Sequence, residues 1–444
     1  MKKSGIYLII LALFFGSCTS ENQRSEPAEV PFPERAKDMV IYEVNVRQYT
    51  PEGTFAAFSD HLPRLQQMGV DMLWIMPVQP IGKEKRKGGL GSYYSIRDYT
   101  AVNPEFGTME DFQQMVDKAH ELDMLVILDW VANHTAWDHE WINKEGYHTT
   151  DSLGNIISPV PDWSDVADLN YDNQDMQDEM IESLRFWVRE TGIDGYRCDV
   201  AGFVPMEFWD RAKDSLDVDD DLFMLAEWDE PKMHSAFHMT YGWGMHHQMN
   251  EISKGYKTVD SLIAFAKNDL VKYGPQAFRM NFTTNHDENS WNGTVFERFG
   301  EGHKAFAVLA FTIQGMPLIY SGQEAGLDRR LAFFEKDSIE WGEVIYQDFY
   351  SQLIELKKAN AALYNGEFGG QPDFLSTGNS KVIAYERKKD GNEVIVLINL
   401  SGEDQQIELG KSVAFTDYFS GEVIENPTSI GSFNYYVGTK TSEE

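Results

Sequence analysis

From about residue 38 the chain alternates short apolar runs with amphipathic stretches of helical period, and this alternation restricts the fold more than any other feature. Helices placed between successive β-rich runs act as crossovers, and crossovers make neighbouring strands parallel. Val40–Tyr49, Met72–Met76, Leu125–Val131, Gly195–Val200, Phe223–Trp228, Arg279–Thr284 and Pro317–Tyr320 read as strands. His61–Met68 places Leu62, Leu65 and Met68 at helical spacing, and Met109–Leu122 reads as a second helix. One further strand is expected near Gly244–Met249, where the pattern is weakest. Eight parallel strands close a barrel, so residues 38–365 are expected to form an α/β fold, a (β/α)8 TIM barrel.

Two segments break the alternation. Residues 135–175 are rich in Asp, Trp, Asn, Gly and Pro without a period. So long an irregular stretch is uncommon unless functional, and it reads as an excursion after strand 3 that walls one side of a cleft. Beyond residue 366 the helical period disappears. Val382–Arg387, Glu393–Asn399 and Gln405–Leu409 are β-rich, with a turn at Lys389-Asp390-Gly391-Asn392. Residues 366–444 are expected to form a C-terminal antiparallel β-sandwich domain.

The first residues carry an address. Lys2 and Lys3 precede an apolar run from Ile6 to Phe15, too short to span a bilayer and flanked like a signal peptide. Gly16-Ser17-Cys18 then resembles a bacterial lipobox. The expectation is a lipoprotein signal peptide over 1–18, a membrane anchor through a lipid on Cys18, and a flexible polar tether over 19–37. That places the protein in a bacterial cell envelope, periplasmic or on the outer membrane. With Cys18 acylated, Cys198 is the sole remaining cysteine and no internal disulfide can form. The net charge of −33 repels polyanions, which excludes a nucleic-acid partner. No H-E-x-x-H motif supports metalloprotease chemistry.

Three carboxylates each follow an apolar run: Asp199 in Gly195-Tyr196-Arg197-Cys198-Asp199, Glu227 in Met224-Leu225-Ala226-Glu227, and Asp287 in Asn285-His286-Asp287. In a βα barrel the C-terminal strand ends form the active site. Side chains two apart on a strand point the same way, so Arg197 and Asp199 share the barrel-facing side and Cys198 points out toward the helices. The guanidinium is expected to hold Asp199 ionised, as a nucleophile requires, and the apolar neighbours of Glu227 to keep it protonated, as a general acid requires. A structural Arg–Asp pair is the bland alternative. Asp129-Trp130-Val131-Ala132-Asn133-His134 closes the third strand, with Asp129 buried, Asn133 offering oxygen to a hard cation and His134 within reach of a sugar hydroxyl. Tyr94 and the indoles of Trp130, Trp137, Trp141 and Trp163 are candidate stacking surfaces for a pyranose.

Taken in order, these segments resemble the α-amylase superfamily, glycoside hydrolase family 13. Asp129…Asn133-His134 is similar to its D-x-x-x-N-H region, Gly195–Asp199 to G-x-R-x-D, Glu227 to the acid/base region and Asn285-His286-Asp287 to N-H-D. Tyr94-Ser95-Ile96-Arg97-Asp98-Tyr99 and Ser321-Gly322-Gln323-Glu324 resemble flanking segments of that family. The resemblance implies a retaining enzyme: Asp199 as nucleophile, Glu227 as acid/base, Asp287 as transition-state stabiliser, Tyr94 stacked under the sugar, and His134, Arg197 and His286 hydrogen-bonding around it. The implied substrates are starch-like α-1,4-glucans or maltooligosaccharides, and the implied cofactor is at most calcium, through Asn133. The chain departs from the family where a Lys-His pair commonly follows the nucleophile; Gly202 and Phe203 stand there. Cyclomaltodextrinase- or neopullulanase-like, α-glucosidase and transglycosylase activities stay open at this point, as does a non-catalytic glycan-binding subunit.

Overall fold

The computed structural model describes residues 31–216 and 221–441. The expected signal peptide, Cys18 and the tether up to residue 30 lie outside the described residues. The barrel strands are β1 (Ile41–Val44), β2 (Met72–Ile75), β3 (Leu125–Trp130), β4 (Gly195–Cys198), β5 (Phe223–Ala226), β6 (Met239–Tyr241), β7 (Phe278–Asn281) and β8 (Met316–Tyr320). Each pairs in parallel with the next, and β8 closes on β1.

Burial on both faces explains the near-continuous apolar runs. Ile41, Met72, Trp74, Leu125, Ile127, Phe223, Leu225, Met239 and Phe278 fill the interior. Their alternate neighbours, among them Tyr42, Leu73, Val126, Tyr196 and Cys198, face the helices. Cys198 is a buried free thiol on the outer side, as the period of two requires. Gly195 is needed where β4 meets β5, because a Cβ there would lie 2.0 Å from the Phe223 carbonyl oxygen.

Three expectations are corrected. The first strand does not run to Tyr49: Asn45 leaves the ladder, its amide donates to Gln48 Oε1 (3.0 Å), and Val46–Tyr49 coil as a helix. The sixth strand is Met239–Tyr241, while Gly244–Met249 lies inside a helix, Trp243–Ser253. Met245, Met249 and Ile252 are buried there at helical spacing. Residues 32–37 are not tether. Phe32 is buried in the barrel interior cluster with its ring 5.3 Å from Phe223, and Glu34–Ala36 form a 3-10 turn.

The excursion carries an antiparallel ribbon, His134–Ala136 against Val166–Asp168. The C-terminal part is a four-stranded antiparallel sheet (Asp373–Phe374, Val382–Lys389, Asn392–Asn399, Tyr435–Thr441) with two small ribbons. One face, through Ile383, Tyr385, Val394 and Val396, joins the main core; the other packs on Ile407, Val413 and Phe415. Buried Arg387 donates to the carbonyls of Thr312, Ile313, Tyr364 and Gly370, at the end of helix His303–Thr312 and in the linker.

Candidate active site

The inward positions at the C-terminal ends of the strands stop being apolar. Glu43 on β1, Asp129 on β3, Arg197 on β4 and Tyr241 on β6 form a buried polar layer there. β3 and β4 pair Asp129 directly with Arg197, so the register itself makes the contact. The Arg197 Nη1 donates to Asp129 Oδ1 at 2.8 Å and to Asp199 Oδ1 at 3.0 Å. Its Nη2 lies 2.9 Å from Glu227 Oε2, and its Nε donates to the Tyr241 hydroxyl at 3.1 Å. One guanidinium therefore holds three carboxylates, and through them fixes Asp199 and Glu227 relative to each other.

Val200, next after Asp199, is left-handed at φ 35°. A β-branched residue rarely takes that conformation, which costs about 1–3 kcal/mol. It turns the Val200 N–H onto Glu227 Oε2 at 2.8 Å. Glu227 is also tied through its own N–H to the Cys198 carbonyl at 3.0 Å.

Burial pushes the Glu227 carboxyl up to about 7, against the pull of Arg197 and with further repulsion from Asp199 and Asp287. The direction expected from its apolar neighbours holds. Asp199 differs from the expectation. Burial raises it to about 6, because Arg197 opposes the shift with a charge it shares among several anions, while Asp129 and Asp287 add repulsion. Burial thus raises both carboxyls, Arg197 pulls both back, and the two titrate as a pair.

The His286 ring meets two oxygens: Glu43 Oε1 2.5 Å from Nδ1 and the Tyr94 hydroxyl 2.8 Å from Nε2. Burial disfavours its charge, but Asp287 and Glu43 outweigh burial and raise it to about 9, so both ring nitrogens are protonated at neutral pH. The Tyr94 hydroxyl then donates to Asp129 Oδ2 (3.1 Å), and the Tyr94 ring lies nearly parallel to those of His286 (5.6 Å) and Phe333 (6.3 Å), which themselves meet at 6.5 Å. Asp287 Oδ2 lies 3.5 Å from His286 Nε2, with the Asp287 side chain 38% exposed. Burial lowers His134 to about 4, and its Nδ1 accepts from Asn133 Nδ2 (3.1 Å), leaving the proton on Nε2.

These side chains border a cleft of about 1130 Å³, counting its solvent-open part. Asp199, Glu227, Asp287, Tyr94 and His134 line it together with Trp163, Trp291 and Phe333. Arg197 and His286 stand behind that lining and act on a ligand through the carboxylates and Tyr94 they hold. Of the four indoles, only Trp163 reaches the cleft. Trp130 and Trp141 are core, and Trp137 lies under the Lys85 ammonium on another surface. Glu43, Phe333 and Trp291 escaped the sequence reading. Glu43 carried a usable signal, since it is the single charge in the buried run Ile41-Tyr42-Glu43-Val44.

Asn133 is the one residue through which the resemblance implies calcium. Calcium takes six to eight oxygens, usually with several carboxylates. The Asn133 amide nitrogen donates to His134, which leaves its oxygen for other partners, and among the described residues no group of three or more Asp, Glu, His or Cys is placed to hold a metal ion.

An eight-stranded parallel barrel with a nucleophile-acid carboxylate pair, a third carboxylate and an aromatic cleft at its C-terminal rim defines the class, a (β/α)8 barrel built for glycosidic bonds. The family described as "Alpha amylase, catalytic domain" matches residues 20–154 and 161–360, and the chain belongs to that family. The "Alpha-amylase MalA" of Haloarcula japonica is 27% identical over 409 residues, 88% of this chain but only 59% of that longer protein. The crystal structure of an alpha-amylase from Lactobacillus plantarum superposes with a TM-score of 0.83 at 26% identity, covering 91% of this chain and 99% of that one. A maltogenic alpha-amylase from Thermotoga neapolitana gives a TM-score of 0.80 at 29% identity, covering 91% and 97%.

Proposed function

We propose that the chain is a retaining glycoside hydrolase that cleaves α-1,4-glucosidic bonds in starch-like glucans or maltooligosaccharides. The observation that carries this reading is the single guanidinium bridging Asp199 and Glu227 on the wall of an aromatic cleft. Asp199 attacks the anomeric carbon while Glu227 delivers its proton to the departing oxygen. Glu227, now a carboxylate, takes a proton from water, and that water breaks the glucosyl ester on Asp199. Asp287 faces the charge that builds on the ring. Family relatives named alpha-amylase and maltogenic alpha-amylase support the substrate class.

The test is proton NMR of fresh products from maltoheptaose, with cyclodextrin and pullulan alongside. The expected first product is the α-anomer, which mutarotates later; the β-anomer appearing first would overturn double displacement. Faster turnover of cyclodextrin than of maltoheptaose would favour the cyclomaltodextrinase-like reading. The address is part of the proposal: Lys2-Lys3, the apolar run Ile6–Phe15 and Cys18 support export and lipid anchoring. Labelled palmitate is expected on the full chain in a bacterial host and absent from Cys18→Ser; equal labelling of both would refute the anchor.

A further inference from the structure

We propose that the loop 82–91 is a strap across the glycone end of the cleft and that it makes the site recognise a chain end rather than bind mid-chain. This rests on the glycosidase reading above and deepens it.

The cleft has two distinguishable ends. The leaving group must depart on the side of its proton donor, Glu227. Trp228 follows Glu227 directly, and Phe203, 47% exposed, packs on Trp228 (5.5 Å between rings) and on Trp163 (6.0 Å). Gly202 admits that arrangement, since a Cβ there would sit 2.0 Å from the Trp228 indole. The aglycone side is therefore an open aromatic shelf. The sugar under attack rests on Tyr94, and beyond Tyr94 the wall continues through Phe333 to Trp291, 5.2 Å from it.

At that far end the path is bridged. Lys87, in the loop after β2, lines the cleft. Its ammonium pairs with Asp165 Oδ1 at 3.1 Å and donates to the Asp162 carbonyl, both in the excursion after β3. Two residues on, the loop is fastened to the opposite flank: Gly89 N donates to Glu335 Oε1 (2.6 Å), and Leu90 N to the Phe334 carbonyl (2.9 Å), both beyond β8. The start of the loop is pinned as well, by Lys83 N on Asp138 Oδ2 (3.0 Å) and the Lys85 ammonium over Trp137. A segment secured to both flanks leaves no through-passage for a polymer. A glucan must then enter by its non-reducing end, and the few sugars that fit before the strap set the product length.

The experiment uses the full chain with reduced maltoheptaose, either free or carrying a 4,6-O-ethylidene group on its non-reducing glucose. The parent is expected to cleave the blocked substrate about tenfold or more slowly than the free one, the scale of a steric misfit. Lys87→Ala should narrow that gap severalfold, and Asp165→Asn, which loosens the same contact from the other flank, should do so should Lys87→Ala fold poorly. Equal rates on the two substrates in the parent overturn the strap; an unchanged gap in both variants overturns the role of Lys87. Inactivity of the parent on both substrates sinks the glycosidase reading instead, a separate result.

Discussion

Asp199→Asn is expected to lower turnover of maltooligosaccharides by about 10⁴-fold or more, the scale seen when a covalent nucleophile is deleted. That corresponds to at least about 5.5 kcal/mol of transition-state stabilisation. The substitution keeps the side chain's shape and removes one of the anions gathered at Arg197, which still faces Asp129 and Glu227. Folding should therefore survive, and the thermal midpoint should stay close to the parent's. The loss should appear in the first chemical step, read by the absence of a burst with a fluoride leaving group. A variant retaining a tenth of parental turnover would mean that Asp199 is a structural partner of Arg197 and that another group attacks the sugar.

The second large effect concerns Glu227. Glu227→Gln should cut turnover of maltooligosaccharides about 10²–10⁴-fold, the usual contribution of a positioned acid/base. It should spare the first step for leaving groups that need no proton, and added azide should restore turnover by replacing the water that Glu227 would activate. The pH profile gives the sharper test. The active form has Asp199 ionised, so the parent should lose activity as pH falls through about 6, the raised value of that carboxyl. It also has Glu227 protonated, so the parent should lose activity as pH rises through about 7. The narrow bell belongs to the pair. In Glu227→Gln the alkaline limb should vanish while the acid limb stays. Matching bells in the two proteins would remove Glu227 from proton transfer.

The barrel was legible because strands buried on both faces read as apolar runs whatever their partners. Local ambiguity defeated the sixth strand: Met239–Tyr241 offers three residues before Gly242, while Met245 and Met249 beside it look equally apolar. Asp199, Glu227 and Asp287 were legible because an acid ending an apolar run is conspicuous, and the cleft gathers all three. Their electrostatics were only half legible. The pairing of Arg197 with Asp199 follows from a spacing of two, but sharing that cation with Asp129 and Glu227 depends on neighbouring strands. Glu43 meets His286 across 243 positions, and Lys87 meets Asp165 between two loops. Nothing local in the chain announces such meetings, since packing of the whole rim sets them.

Arg387 and the sheet that carries it alter how this architecture can be taken apart. The terminal sheet lends its inner face to the same core that backs the barrel helices, and one cation satisfies four main-chain oxygens at the junction. Such a module cannot be shuffled like a bead on a string. Any replacement grafted at that seam would have to bring its own donors to those oxygens, or leave the last helices of the barrel frayed.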